Sequence, residues 1–252
     1  MAVTRDGIVV AGLALLDEGG LEGLTLRRLA ERLGIRAPTL YWHVRDKREL
    51  LDLMVSVIMD EALADWREPH SGQPWWDWLA GRARALRAGL LAHRDGALVL
   101  AGNRPAQPAL PGIERQLAAL AGAGFEPPEA LLTLLALNAY VIGEALDTQG
   151  ESGRPDQTAE PGAGAQAGPG FGEDFPLISA AVGRLEAFGS SDQRFEHGLA
   201  LMITGLRAQH DPGWAGPEAA NPAASDPAAA NPPAAAAGAA AAGAAGPGAA
   251  GG

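Results

Sequence analysis

The chain has 252 residues, no cysteine and a net charge of −11. This composition excludes disulfide scaffolds and thiolate metal sites, suits a reducing cytoplasm, and leaves enough chain for one large or two small cores. No apolar run reaches about 18 residues outside the Ala/Gly-rich tail and the N-terminus lacks the features of a signal peptide, so we expect a cytoplasmic protein without a membrane partner.

The first 45 residues predict three short helices. Thr4 is placed to cap a first helix that ends at Gly19 and Gly20. Thr25 is placed to cap a second helix, and the glycine at position 34 provides a tight turn after it. A proline at the start of the third helix loses no hydrogen bond there. We interpret residues 25–47 as a helix-turn-helix.

The predicted third helix carries an unusual run of outward-facing side chains. Leu40 is expected in the core, which leaves Thr39, Tyr41, Trp42 and His43 to face outward. A single aromatic residue at this place would be explained by simple core packing. Three consecutive ones cannot all point inward on a helix, so this pattern favours a surface that contacts DNA.

The charge is distributed unevenly along the chain. Residues 25–48 contain seven basic and two acidic side chains, a local charge of +5, although the whole chain is acidic. A basic segment on an acidic body fits a protein that binds phosphate at one face. From charge alone, an ordinary solvated helical surface is equally compatible.

The remaining chain predicts further helices and an all-α fold. Asp46 and Glu49 have capping-box spacing and should begin a long fourth helix. Apolar periodicity then predicts helices over residues 75–92, 95–101, 112–121, 129–149, 175–188 and 192–209. We expect a helix-turn-helix domain (1–45), a connecting helix (46–66), a ligand-binding and dimerisation domain (67–210) with a flexible loop (150–172), and a disordered Ala/Gly/Pro tail (211–252).

The stretch GLTLRRLAERLGIRAPTLYWHVRDKRELL resembles the tetracycline repressor (TetR) family, and so do LLAHRDGALVLAGNRP, GIERQLAALAGAGF and IGEALDTQG in the body. The resemblance covers about residues 4–209. It implies an all-α homodimer in which residues 129–149 and 192–209 of each subunit form a four-helix interface. Paired heads would then read double-stranded operator DNA with half-sites one turn (~34–36 Å), or a multiple of it, apart.

The resemblance also implies which side chains contact DNA. Arg27 matches an arginine that reaches guanine, with a phosphate contact or a solvated charge as the alternative, and Lys47 matches a phosphate-binding lysine. The full set of implied DNA contacts is Thr25, Arg27, Ala37, Pro38, Thr39, Tyr41, Trp42, His43 and Lys47. For Trp42, partial packing against the three N-terminal helices is an alternative. Leu26 and Ala37 replace threonine and glutamine of the tetracycline repressors, so we expect a different operator sequence.

A ligand pocket is implied in the same way. Its residues would be Leu63, Arg82, Leu86, Leu100, Asn103, Arg104, Pro105, Gln116, Leu131, Leu135 and Asp147. Leu100 replaces the metal-binding histidine of the family, and Asp147 alone cannot build an oxygen-rich site. We therefore expect no metal and no cofactor, which disfavours a magnesium–tetracycline effector. Arg82 and Arg104 are available for a carboxylate or phenolate, although salt bridges between helices would explain them equally, and the leucines would equally fit a plain core.

These observations predict a ligand-responsive transcriptional repressor with operator DNA and a small-molecule effector as partners, and no enzymatic activity. The five histidines have no metal-ligand spacing, and no nucleophile–base pair emerges. Two alternatives stay open at this point. One is an activator or corepressor-dependent regulator of the same fold, and the other is a helical ligand-binding or enzymatic protein.

Overall fold

A computed structural model describes residues 4–66, 68–103, 109–152, 175–178, 181 and 190–211. Their helices are α1 Arg5–Gly23, α2 Leu26–Arg32, α3 Ala37–Tyr41, α4 Lys47–Ala62, α5 Trp75–Leu91, α6 Gly96–Gly102, α7 Leu110–Gly122, α8 Pro127–Ser152 and α9 Ser191–His210. The described ranges contain helices and connections but no strand, so the predicted all-α fold is confirmed.

The head, residues 4–45, is built from three helices, and the side-chain caps predicted for α1 and α2 are present. Thr4 accepts a hydrogen bond from Gly7 N, and Thr25 accepts one from Arg28 N, both at 3.2 Å. Gly34 has a φ of 65°, which a residue with a side chain rarely adopts. The predicted end of α1 at Gly19 and Gly20 is only partly confirmed, because Gly20 leaves the helical conformation with a φ of 64° but the helix continues to Gly23.

The start of α4 is fixed to the head. Asp46 accepts a hydrogen bond from Glu49 N at 2.8 Å, and the Glu49 carboxylate accepts one from Arg45 N at 2.9 Å. Glu49 also forms ion pairs with the side chains of Arg5 and Arg45. The backbone hydrogen bond from Arg45 is the main cause that lowers the pKa of Glu49. The first turn of the connecting helix is thus held to residues from both ends of the head.

The connecting helix packs closely against the body, which consists of α5 to α9. Its buried residues Leu50, Met54 and Ile58 belong to one core that continues into α5. Gly89 on α5 faces Ala62 so closely that any side chain at position 89 would overlap it. Movement of α4 relative to α5 therefore requires repacking of a dense contact.

Polar contacts join α5, α8 and α9 in the body. Arg84 pairs with Glu196 at 2.7 Å and lowers the pKa of that carboxyl, and Arg87 on the same helix pairs with Asp192 at 2.6 Å. The Tyr140 hydroxyl donates to Phe195 O at 2.6 Å, and burial raises the pKa of Tyr140 to about 12. These contacts hold α9 onto the face of α5 and α8.

Two predicted boundaries differ from the structure. The connecting helix, predicted to extend to residue 66, ends at Ala62, and α8 continues through Ser152 into the predicted flexible loop (150–172). Most of the predicted loop (153–172) and of the tail (212–252) lies outside the described residues, so those predictions stay predictions. The predicted helix over residues 175–188 is described only at 175–178 and 181, where residues 176–178 are helical.

Helix α8 is long and apolar enough, by length and composition, to cross a membrane. Such a helix also occurs in the core or in subunit contacts of soluble proteins. Only 33% of its most apolar window is buried within the single chain. Most of this apolar window is therefore not covered by the rest of the single chain.

Candidate functional site

The surface around α3 presents the predicted aromatic run to solvent. Leu40 is fully buried and anchors the helix in the head. Tyr41 is 52% exposed and Trp42 is 87% exposed, so Trp42 does not pack against the head. His43 is half-buried. The other predicted contacts on this helix, Ala37, Pro38 and Thr39, are exposed.

The second helix adds Thr25 and Arg27 beside this surface. The Thr25 oxygen accepts the capping hydrogen bond from Arg28 N, which leaves its O–H free to donate to a phosphate oxygen. The Arg27 side chain is exposed and forms an i,i+4 pair with Glu31 at 2.9 Å. An exposed pair of this kind is weak, so a guanine or phosphate can replace Glu31 at little cost.

Lys47 lies at the start of α4 and turns toward the head. Its Nζ donates to Leu21 O at 2.9 Å, and the side chain is half-buried. An ammonium has three N–H donors. This hydrogen bond therefore positions the charge and leaves two donors for a phosphate. We name the surface formed by Thr25, Arg27, Ala37, Pro38, Thr39, Tyr41, Trp42, His43 and Lys47 the α2–α3 surface. It can grip phosphates and offer side chains to base edges.

A second contact of Leu21 links the head to the body. The Asp95 carboxylate accepts a hydrogen bond from Leu21 N at 2.7 Å. Asp95 is the residue before α6 and has a left-handed backbone with a φ of 57°. Its neighbour His93 lies 3.2 Å from the Asp17 carboxylate on α1. The start of α6 is therefore attached to the same residue that positions Lys47.

The body contains a partly open cavity of about 320 Å³, which we name the central cavity. Its lining residues come from α4 to α8 and the residue after α6: Met59, Arg82, Leu100, Asn103, Ile113, Gln116, Leu131, Leu134, Leu135, Asn138, Ala139 and Ile142. Most of the lining is apolar, with one cation and three amide side chains. Such a lining fits a mainly apolar small molecule with a few polar groups.

Arg82 is the charged residue among the described lining residues. It is 1% exposed. Its Nε donates to Gln116 at 2.6 Å and its Nη1 donates to Asn138 at 2.9 Å. Both partners are neutral amides, and burial alone lowers the pKa of Arg82 to about 10. The salt bridge between helices that the sequence left open for Arg82 is not formed with any described residue.

The central cavity brings together six of the eleven pocket residues implied by the sequence: Arg82, Leu100, Asn103, Gln116, Leu131 and Leu135. Leu63 lines an adjoining cavity of about 370 Å³ that shares Met59, Ile113 and Gln116. Leu86 is fully buried in the core, and Asp147 is exposed on another side of α8. Arg104 and Pro105 lie outside the described residues.

Sequence reasoning missed several residues of this cavity, most importantly Asn138. Its amide is an isolated polar group in an apolar segment of α8, which is the signal that could have identified it. No such signal identifies the apolar lining residues Met59, Ile113, Leu134 and Ile142. The sequence pattern of an apolar side chain is the same whether it lines a cavity or fills a core.

Comparisons with known proteins match both regions. A family model described as "Bacterial regulatory proteins, tetR family" matches residues 8–54. A second one, described as "Tetracyclin repressor-like, C-terminal domain", matches residues 68–210. The first includes the α2–α3 surface and the second includes most of the central cavity.

Individual relatives agree with these matches. The class A tetracycline repressor of transposon 1721 from Escherichia coli is 38% identical over 199 residues, which are 79% of this chain and 88% of the relative. The structure of ActR from Streptomyces coelicolor with actinorhodin has a TM-score of 0.70 and 32% identity, and the match covers 85% of this chain and all of that one. TetR(class A) with 5a,6-anhydrotetracycline and magnesium has a TM-score of 0.57 and 32% identity over 81% of this chain and 98% of that one.

Proposed function

Because the chain belongs to the TetR family and is a ligand-responsive transcriptional repressor rather than an enzyme, we propose that two copies bind a palindromic operator in the cytoplasm and leave it when a small molecule occupies the central cavity. The α2–α3 surface of each copy would contact one half-site. Since Leu26 and Ala37 cannot hydrogen-bond a base edge through their side chains, the operator differs from those of the tetracycline repressors.

One observation carries this proposal: two helices that line the central cavity, α4 and α6, are also connected to the head. Met59 of α4 and Leu100 of α6 line the cavity. At its other end, α4 begins with Lys47, which donates to Leu21 O. The other end of α6 begins after Asp95, which accepts a hydrogen bond from Leu21 N. A ligand that moves either helix in the cavity would therefore move a contact of the head. A coupling of about 1–3 kcal/mol per site changes operator affinity several-fold to a hundredfold.

The proposed dimer would use apolar faces that are exposed in the single chain. One exposed face of α8 consists of Leu132, Leu135, Ala136, Ala139 and Gly143. One exposed face of α9 consists of Leu201, Gly205 and Ala208. Small residues between leucines allow helices to approach closely, and exposed apolar area of this kind indicates a protein contact. Leu135 and Ala139 also line the central cavity, so a second chain would close its open side.

The dimer is tested by placing a charge on this face. Leu201 is 62% exposed, so Leu201→Arg should leave the single chain folded but oppose association. We expect sedimentation equilibrium to give the mass of one 25.8 kDa chain instead of two. Binding to a palindromic duplex should weaken by about 100-fold, because each head then binds alone.

The matched control is Leu98→Arg on α6, where the leucine is also exposed. This variant should stay dimeric and bind the duplex as the wild type does. A Leu201→Arg protein that keeps the mass of two chains and the affinity of the wild type would refute the proposed interface.

The described residues of the central cavity do not fit a magnesium chelate. Magnesium prefers carboxylate oxygens and water, and the described lining has neither a carboxylate nor a histidine. Leu100 has no lone pair, and the buried charge of Arg82 repels a divalent cation. The magnesium–drug complex named for the TetR(class A) structure therefore does not transfer to this chain.

A further inference from the structure

We propose that the effector is an organic anion, largely apolar, whose carboxylate or phenolate binds the guanidinium of Arg82 in the central cavity. This inference rests on the proposed function in one respect, that the central cavity holds the effector. It adds the chemical class of the molecule and the residue that selects it.

The positive charge of Arg82 is not balanced by an acidic side chain among the described residues. A buried guanidinium is normally paired with an acid, because removing an ion from water costs several kcal/mol unless a counter-charge compensates it. Arg82 is 1% exposed, and its hydrogen-bond partners among the described residues are the oxygens of Gln116 and Asn138. Amide dipoles orient the cation but do not neutralise it. An anion in the cavity would complete this arrangement.

The guanidinium of Arg82 is also held in a fixed position at the cavity wall. Gln116 and Asn138 line the cavity together with Arg82, and they come from α7 and α8 while Arg82 comes from α5. The two amides fix the Nε and Nη1 atoms, so the guanidinium plane is held before a ligand arrives. A fixed guanidinium favours a planar oxyanion such as a carboxylate.

The rest of the described lining is mainly apolar. Leu100, Ile113, Leu131, Leu134, Leu135 and Ile142 provide an apolar wall. A small inorganic anion would leave this wall without contacts, whereas an aromatic or alicyclic acid would use both the wall and the cation. The volume of about 320 Å³ accommodates a bicyclic acid.

The test compares two probes that differ in charge and little else, 2-naphthoate and 2-naphthamide. Isothermal titration calorimetry on the full-length protein without DNA gives their dissociation constants. We expect the wild type to bind naphthoate at least about tenfold more tightly than naphthamide, since a buried charged pair adds more than 1.4 kcal/mol. Equal affinities, tighter binding of the amide, or binding of neither probe would overturn the proposal.

Two variants then assign the preference to Arg82. Arg82→Gln keeps hydrogen-bond donors for the two amides but removes the charge, so naphthoate should lose its advantage while naphthamide still binds. Arg82→Lys keeps the charge and should keep part of the advantage. The matched control is Arg84→Gln on the same helix, whose guanidinium pairs with Glu196 outside the cavity. That variant should behave as the wild type does, and a preference that survives in Arg82→Gln would contradict the assignment.

A separate measurement isolates the proposed function. Naphthoate is added to the protein bound to operator DNA, and release is followed by fluorescence anisotropy. Binding of naphthoate through Arg82 without release would support the anion site and contradict the coupling between cavity and head. Release by both probes with equal potency would support the coupling and contradict the anion site.

Discussion

Replacing Tyr41 by alanine is expected to weaken operator binding by about 100-fold while the protein stays folded. The side chain is 52% exposed on the α2–α3 surface, so its removal leaves no cavity in the core. Each contact to a base edge or phosphate is worth about 1–3 kcal/mol, and a dimer would lose two of them. The measurement is fluorescence anisotropy of a labelled operator duplex, with circular dichroism as the check on folding.

Two further variants separate the role of Tyr41 from a general surface effect. Tyr41→Phe removes only the hydroxyl and should lose a smaller part of the affinity if the ring also contacts the groove. Leu98→Ala, an exposed leucine on α6 in the body, should leave operator binding unchanged. An unchanged affinity of Tyr41→Ala would remove the α2–α3 surface as the DNA contact.

Replacing Asp95 by alanine should disconnect the head from α6. The variant loses the acceptor for Leu21 N and places a side chain without hydrogen-bonding groups in a left-handed backbone conformation. A hydrogen bond to a charged group contributes about 1.5–3 kcal/mol, so the end of α1 should open more often. Amide hydrogen exchange should become roughly tenfold faster or more at Leu21, and Lys47, which donates to Leu21 O, should be held less firmly.

Asp95→Ala should also weaken the coupling between the central cavity and the head. Operator affinity of Asp95→Ala should fall about tenfold, and a ligand in the central cavity should change that affinity less than in the wild type. Asp95→Asn is the matched control, because asparagine tolerates the left-handed conformation and keeps a carbonyl acceptor. If both variants exchange and respond alike, the bond to Leu21 does not transmit the signal.

Features set by neighbouring residues were predicted well from the sequence. The caps at Thr4, Thr25 and Asp46 depend on side chains three residues from the amides they bind, so the pattern alone locates them. The same holds for the turn at Gly34. The exposure of Tyr41 and Trp42 follows from helical geometry, since Leu40 between Thr39 and Tyr41 takes the buried side.

Features set by distant residues could not be read in this way. Asp95 and Leu21 are 74 positions apart, and Arg82 and Asn138 are 56 apart. No local sequence pattern predicts either of these contacts. Resemblance to the family supplied candidate pocket positions, yet Leu86 fills the core while Leu100 faces the cavity, a difference that depends on how five helices pack. The roles of the DNA-contacting and ligand-contacting residues stay predictions until the variants above are measured.

The most direct test of the central claim is the affinity of the protein for a palindromic duplex from its own upstream region as a function of salt. A dimer that neutralises several phosphates with residues such as Arg27 and Lys47 should lose about a thousandfold or more in affinity between 50 and 200 mM salt. The same titration should give two chains per duplex and much weaker binding to a scrambled duplex. Affinity that does not depend on salt, or that is equal for both duplexes, would contradict the account of a sequence-specific repressor.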